Sequence, residues 1–463
     1  MKRFGGMLVV SMLMAAACVC AAPVDRSDSI RESTVRAHME FLASDAMNGR
    51  GSGTRDEWIA ATYIAAQLRR YGLQPLGDDG DYVQAVEIAR NEVVGTPALR
   101  IGSTTLIHGD QMIVTRLNSA SLRGPLQKYK ANVPVQAGAV LLMPEDAGPG
   151  TNVPDANVSA ATLVLSHETA PTRARWADLT RRAISAGAPR IVALGNSPAA
   201  AQNGPSRIIL SADAYAAVAQ ITEGSIATVA AETREAVGRT WNAVGRLPGA
   251  GRREKDDIIL LSAHLDHLGA RETGVDRIYN GADDDASGSI AVLTLAEALA
   301  KGPRLKRTLV FAWFGSEEVG GYGARYFVEK PVVPLDKIVA NLEFEMIGRP
   351  DPSIAPHTLW LTGWERSDLG PQLAAHGARL VADPHPAEKF FTRSDNFTLA
   401  RRGVVAQTVS SYGLHADYHQ PSDDIGHIDF GHMTEAIQSL LAPVRWLADS
   451  SFRPGWAPGG RPP

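Results

Sequence analysis

Cysteine is nearly absent: Cys18 and Cys20 are the only two in 463 residues. A fold stapled by disulfides along its length is thereby excluded. Charge of one sign is also in short supply. The 46 basic and 50 acidic residues leave a formal net charge of −4, without the basic footprint of a nucleic-acid binder. Apolar residues make up 44% and charged residues 21%, a balance that excludes wholesale disorder, collagen-like repeats and a polytopic membrane protein. No internal repeat is visible. The length suits about three domain-sized units, and such a chain buries a large core without cross-links.

The opening, MKRFGGMLVVSMLMAAACVCAAP, has the parts of a secretory signal peptide. Lys2 and Arg3 form a positive start, Met7 to Val19 an apolar run, and Cys20-Ala21-Ala22 a small-residue cleavage site. The run is shorter than the ~20 residues of a membrane span. Cleavage after Ala22 removes both cysteines and moves the net charge from −4 to −6. The mature chain is then expected to be secreted or periplasmic, with no integral membrane span. A second reading is a lipoprotein signal anchored at Cys18, because Ala15-Ala16-Ala17-Cys18 loosely resembles a lipobox without its usual leucine.

Hydrophobic periodicity divides the remainder. Ile30, Val35, Met39 and Leu42 recur at helical spacing, and a second helical stretch runs from Trp58 to Gly72, where glycine suits a helix end. Between them, LASDAMNGRGSGTRDE reads as a loop. From about 113 to 243, short apolar runs (AGAVLLM, ATLVLS, RIVALG, RIILS) alternate with Pro, Gly and Asn, around one helix-like segment from Trp176 to Ala186. This predicts a small β-rich domain inserted into the chain. Over 244–450, strand and helix patterns alternate. Ile258–Ala263, Thr308–Phe314, Ile338–Ile347 and Val404–Val409 read as buried strands, and Ser289–Ala300 and 430–448 as helices. The expected fold class is α/β, a mixed β-sheet sandwiched by helices, with 23–112 as the N-terminal part of the same domain. The Pro- and Gly-rich end, 451–463, reads as a disordered tail.

In open α/β sheets, ligands gather beyond the carboxyl ends of the strands, so the residues after each expected strand are the candidates. The first strand leads to His264-Leu265-Asp266. Residues two apart on extended backbone point the same way, and a carboxylate commonly orients a metal-binding histidine; a surface histidine beside an acid is the plainer reading. Next comes Asn280-Gly281-Ala282-Asp283-Asp284-Asp285-Ala286-Ser287-Gly288. Its three aspartates either cap the following helix or hold a cation. The second strand ends in Gly315-Ser316-Glu317-Glu318, where one carboxylate can hold metal while the other works as a general base. Glu343 and Glu345 share a face within an apolar run, and a buried glutamate needs a partner. Asp417-Tyr418-His419-Gln420-Pro421 stands in a polar loop. Imidazole with carboxylate suits zinc, and five ligand positions with one bridge suit a two-metal hydrolytic centre.

SAHLDH, GADDDASG, FAWFGSEEVG, EFEMIG and DYHQPSDD together resemble the co-catalytic di-zinc peptidases of clan MH, which include secreted bacterial leucyl-type aminopeptidases and vacuolar aminopeptidase Y. The resemblance spans about 250–447 and takes in FLASDAMNGRGSGT and YGLQPLGDDGDYVQ near the start; the inserted region is similar to a protease-associated domain. It implies the zinc exopeptidase fold, two zinc ions per chain and removal of N-terminal residues from peptide substrates. His264 and Glu345 are implied for one zinc, and Glu318 and His419 for the other, with Asp284 as the bridge and a cis peptide after it. Glu345 stands where aspartate is more usual, one methylene longer. Glu317 is implied as the general base, Tyr418 as an oxyanion donor, and Asp266, Asp285 and Asp395 as partners that orient the ligands. Ser394-Asp395-Asn396 replaces the usual Ser-Asp-His. His267 and His415 match no ligand position and are expected to line the site or face solvent. The nearest rival is a carboxypeptidase for acidic C-termini, which would need cations such as Arg393, Arg401 or Arg402. A receptor-like binding protein would have lost ligands that this chain keeps.

Overall fold

The computed structural model describes residues 29–117, 119–131, 133–145, 160–168, 194–195, 205–252, 256–270 and 276–463. The expected signal peptide and the helix expected over Trp176–Ala186 lie outside these residues. Two helices, Glu32–Leu42 (α1) and Arg55–Arg70 (α2), precede two very long strands, Val83–Ile101 (β1) and Ile226–Leu247 (β2). Strands and helices then alternate: Ile258–His264 (β3), Gly288–Lys301 (α3), Thr308–Phe314 (β4), Tyr322–Glu329 (α4), Ile338–Phe344 (β5), Leu359–Leu361 (β6), Leu369–Ala375 (α5), Leu380–Ala382 (β7), Asn396–Arg401 (α6), Ala406–Ser410 (β8) and Phe430–Asp449 (α7).

The strands stand side by side in the order β7-β6-β8-β5-β3-β4-β2-β1. The central run β8-β5-β3-β4 is parallel, while β2 and β6 join it antiparallel. Alternation along each strand sends side chains to opposite faces. Ile259, Leu261, Ala263, Leu309, Phe311 and Trp313 pack with α1, α2, α3 and α7. Ile258, Leu260, Val310, Ala312 and Phe314 pack on the other face with Phe327 of α4 and Leu399 of α6. Both faces are covered, which is why these strands read as unbroken apolar runs.

A second core is separate from this one. Leu99, Ile101 and Leu106 join Met112, Leu126, Leu163, Ile208, Val218 and Val229 in it. Its strands Ser121–Lys128, Val140–Leu142, Leu163–His167, Ser206–Leu210 and Met112–Arg116 are adjacent in that order, and Ser121–Lys128 pairs with the start of β2. The antiparallel ribbon of β1 and β2 runs from Ala243 opposite Val83 to Ala227 opposite Ile101, and so carries the chain from one core to the other.

The end of the chain differs from its compositional reading. Residues 451–463 are packed, not disordered. Trp456 donates its ring N–H to Gly403 O at 3.1 Å and sits edge-on to Phe391, while Ala457 N and Gly460 O bond to Arg366. One aromatic anchor and three hydrogen bonds outweigh the flexibility that proline and glycine content suggested.

His38 of α1 is buried, with Nδ1 2.7 Å from the Tyr63 hydroxyl and Nε2 3.3 Å from that of Tyr71. Burial is the main reason its pKa falls from 6.5 to about 4. The folded state thus favours the neutral ring, while the unfolded chain takes up a proton below pH 6.5. The stabilisation is whole above pH 6.5 and is lost as pH falls towards 4, on the order of 3 kcal/mol in all. In urea titrations, H38Q should flatten the decline between pH 6.5 and 4; parallel wild-type and H38Q curves would refute this.

Candidate metal centre

The candidate residues meet at the carboxyl ends of β3, β4 and β5. His264 closes β3, with its Nε2 3.3 Å from Asp284 Oδ1. One group of ligand atoms, from His264, Asp284 and Glu345, lies within 4.8 Å of one another, and a second, from His267, Asp284 and Glu318, does the same. His419 Nε2 is 3.1 Å from both Asp284 Oδ2 and Glu318 Oε2. Asp284 is therefore common to two adjoining donor sets.

The three successive aspartates have three different tasks. Asp283 Oδ1 accepts from Gly348 N at 2.7 Å, and its Oδ2 is 2.9 Å from His415 Nε2. Asp285 Oδ1 accepts from Gly288 N, at the start of α3, and from Met346 N, just past β5. Only Asp284 turns into the centre, and the peptide between it and Asp285 is cis.

The other carboxylates are fixed from behind. Asp266 Oδ1 accepts from Glu317 N at 2.9 Å and Oδ2 from Glu318 N at 3.4 Å, while His264 Nδ1 lies 3.7 Å away. Ser52 donates to the same carboxylate. Ser316 has φ of 55°; its N–H donates to buried Glu57 at 2.7 Å, and Gly315 N donates to Asn242. Gly315 has no alternative, since a Cβ there would stand 2.3 Å from Thr240 Oγ1. Glu343 is in neither donor set; its Oε2 accepts from Asn396 N and the Thr408 hydroxyl.

Charge is concentrated here. Burial pushes the Glu317 carboxyl well above its ordinary range, and Asp395, Glu345 and Glu318 add to this against the pull of His264. Burial likewise takes Glu345 up to about 8. Asp284 goes the other way: the nearby rings of His264 and His419 outweigh the cost of its burial. His419 rises to about 10, because Asp284 and Glu318 overcome its desolvation. Both ring nitrogens of His264 are buried without a hydrogen-bond partner, as are Asp285 Oδ2 and Asp395 Oδ2. The imidazole and carboxylate atoms gathered in the two sets are the donor chemistry of zinc. A divalent cation would also reverse the upward drift of the carboxyls.

The centre opens into a cleft lined by Met346, Trp360, Phe390 and Tyr412, with Arg393 also along it. Tyr418 stacks on His419 at 3.9 Å between ring centres, and burial with nearby carboxylates holds its phenol protonated.

Residues 242–444 match the model for Peptidase family M28. The match covers less than half of the chain. "Leucine aminopeptidase 2" of Trichophyton rubrum is 28% identical over 233 residues, 44% of each chain. "Leupeptin-inactivating enzyme 1" of Streptomyces exfoliatus is 33% identical over 114 residues, 24% of each. The chain thus spans less than half the length of these curated relatives. Among solved structures, an aminopeptidase from Aneurinibacillus sp. strain AM-1 shares the fold with a TM-score of 0.60 at 18% identity, over 93% of this chain and 96% of that one. A zinc aminopeptidase from Bacillus subtilis does so at 0.55 and 17%, over 92% and 97%.

Several residues that hold the centre carry little local signal in sequence. Asp423 is fully buried and accepts from Asp283 N and Asp284 N. Arg349 reaches both Asp423, at 3.3 Å, and Asp417, at 2.7 Å, and so ties the loop bearing His419 to the aspartate turn. His267 is wholly buried and bonded to Glu318. His415 is mostly buried against Asp283. Only the doubled acid of Ser422-Asp423-Asp424 hinted at any of this. D423A should leave two buried N–H groups without an acceptor, at about 1–3 kcal/mol each, and free the loop. Limited proteolysis should then cut within 414–424, where wild type resists; an unchanged digest would show the loop is fastened elsewhere.

Proposed function

We propose that this protein is a zinc-dependent aminopeptidase that hydrolyses the N-terminal residue of peptides. The observation that carries the reading is the pair of donor sets sharing Asp284 beside a buried carboxyl, that of Glu317, with no metal-ligand duty of its own. His264 and Glu345 would hold one zinc, Glu318 and His419 the other, and Asp284 both. Zinc bound there supplies Lewis acidity, polarising a carbonyl and making water a stronger acid.

The chain's own residues do the rest. Glu317 takes a proton from the attacking water as the C–O bond forms, and returns it to the amine as the C–N bond breaks. Its burial favours this shuttle, because a raised pKa lies nearer the working pH. Asp266 keeps the Glu317 backbone in place, and Tyr418, held as a neutral phenol, can donate to the oxyanion. Asp285 and Asp395 orient the surrounding loops. The apolar wall of Met346, Trp360, Phe390 and Tyr412 suits a hydrophobic side chain.

Arg393 gives a carboxypeptidase reading its one support, since a terminal carboxylate needs a cation. Its guanidinium, however, already lies 3.5 Å from Glu388 and stacks over Phe390, which favours the aminopeptidase. The sequence of the first 22 residues supports export. Among the described residues, no helix is long and apolar enough to cross a membrane.

Incubation with mixed peptides, read by mass spectrometry, should show stepwise loss from the N-terminus, stopped by chelator and restored by zinc. Shortening from the C-terminus would transfer the chain to the carboxypeptidases. E317Q should keep its zinc by elemental analysis while losing turnover by about 10²–10⁴-fold; near-normal turnover would remove Glu317 as the base.

A further inference from the structure

His267 follows the first ligand by three residues and matches no ligand position, yet its side chain is completely buried. Its backbone is held on both sides by the N-terminal loop: His267 N donates to Arg50 O at 3.1 Å, and Ser52 N donates to His267 O at 3.3 Å. The fold also clears space for the ring. Gly281 has φ of 57°, and a Cβ there would stand 2.5 Å from His267 Cγ and 2.6 Å from Cδ2.

The ring touches the centre at one atom. Nδ1 lies 2.7 Å from Glu318 Oε1 and 3.8 Å from Asp284 Oδ2. The opposite oxygen, Glu318 Oε2, is the one 3.1 Å from His419. Nε2 is buried without a hydrogen-bond partner. This identifies the tautomer. Orphaned N–H groups in protein interiors are rarer than under-used acceptors, so the proton belongs on Nδ1, and Nδ1–H donates to Oε1. A nitrogen that carries this proton has no lone pair left for a metal.

Resting on the zinc reading above, we propose that His267 is a positioning residue for Glu318. By holding Oε1, it leaves Glu318 only Oε2 to offer to the metal shared with Asp284 and His419. Glu318 is thereby kept from rotating away or closing on the metal with both oxygens, and room is preserved there for substrate. The role is that of a hydrogen-bonding partner that sets the orientation of a ligand, and loss of such partners typically weakens metal binding 10–100-fold.

The test uses the full chain stripped of metal, with zinc affinity measured by competition against a chromophoric chelator and ligation followed by the absorption spectrum of the cobalt(II) form. Wild type is compared with H267A, with H267L, which keeps the buried volume, and with H267N, whose amide N–H falls near the Nδ1 position. The expected result is that H267A and H267L keep one zinc equivalent unchanged and bind the other 10–100-fold more weakly. H267N should recover most of that loss, with a wild-type cobalt spectrum. Wild-type affinity for both equivalents in H267A or H267L would overturn the proposal. So would an H267N as weak as H267A with an altered cobalt spectrum, which would make His267 a metal ligand itself. If wild type binds neither equivalent, the zinc reading fails, and the role of His267 falls with it.

Discussion

The burial of like charge governs this structure. Asp266, Asp284, Asp285, Glu343 and Asp395 are almost completely excluded from solvent at one end of the sheet, and Glu317, Glu318 and Glu345 adjoin them. Two carboxylates 4 Å apart repel by about 4 kcal/mol even at an effective dielectric of 20, so the cluster stands only if its oxygens are answered. Four are answered by backbone N–H groups: Glu317 and Glu318 N serve both oxygens of Asp266, Gly288 and Met346 N share Asp285 Oδ1, and Asn396 N serves Glu343 Oε2. Beneath them lies Arg50, fully buried, whose hydrogen bonds go to the carbonyls of Leu42, Leu265, Asn280 and Gly281. Its positive charge acts through the field it sets up, not through a direct ion pair. Asp284, Glu318 and Glu345 are gathered with histidines into two donor sets, and a cation is the species that suits them.

The architecture follows from that requirement. Parallel strands bring their carboxyl ends, and the loops after them, to one edge. The loops after β3, β4 and β5 alone would still be free to splay. They are held from elsewhere in the chain by Ser52 and Glu57 of the N-terminal segment, Asn242 of β2 and Asp423 of the His419 loop, which Arg349 of the loop after β5 also meets. The N-terminal helices therefore do more than cover the sheet. They bring Ser52 and Glu57 against the turn that presents Glu317 and Glu318.

What could be read from the sequence follows a physical rule. Strands buried on both faces announce themselves as apolar runs, so their ends, and with them His264, Glu318 and Glu345, could be located. Asp284, rather than Asp283 or Asp285, could be singled out only through a family resemblance, because the three are chemically equal until the backbone turns them apart. Glu57, Asn242, Arg349 and Asp423 could not be found, since each acts across tens to hundreds of residues and leaves no periodicity; His267 was expected only to line the site or face solvent. Trp456 was hidden for a related reason: a lone aromatic in a proline- and glycine-rich stretch gives no pattern, yet it anchors the end of the chain. The strands β1 and β2 each run from one core to the other, so a change in sequence texture along them falls mid-strand and marks no break in the backbone.

That ribbon has a topological consequence. The chain leaves the main sheet at Val83 and returns at Ala243, and these two residues face each other as partners. To the main sheet, the whole excursion between them is a hairpin loop. Loop-closure entropy grows only with the logarithm of loop length, so the size of the excursion scarcely burdens the assembly of the sheet. The second core is therefore a removable cartridge on a two-strand stem. Evolution can enlarge, trade or delete it there while the geometry around Asp284 stays as it is.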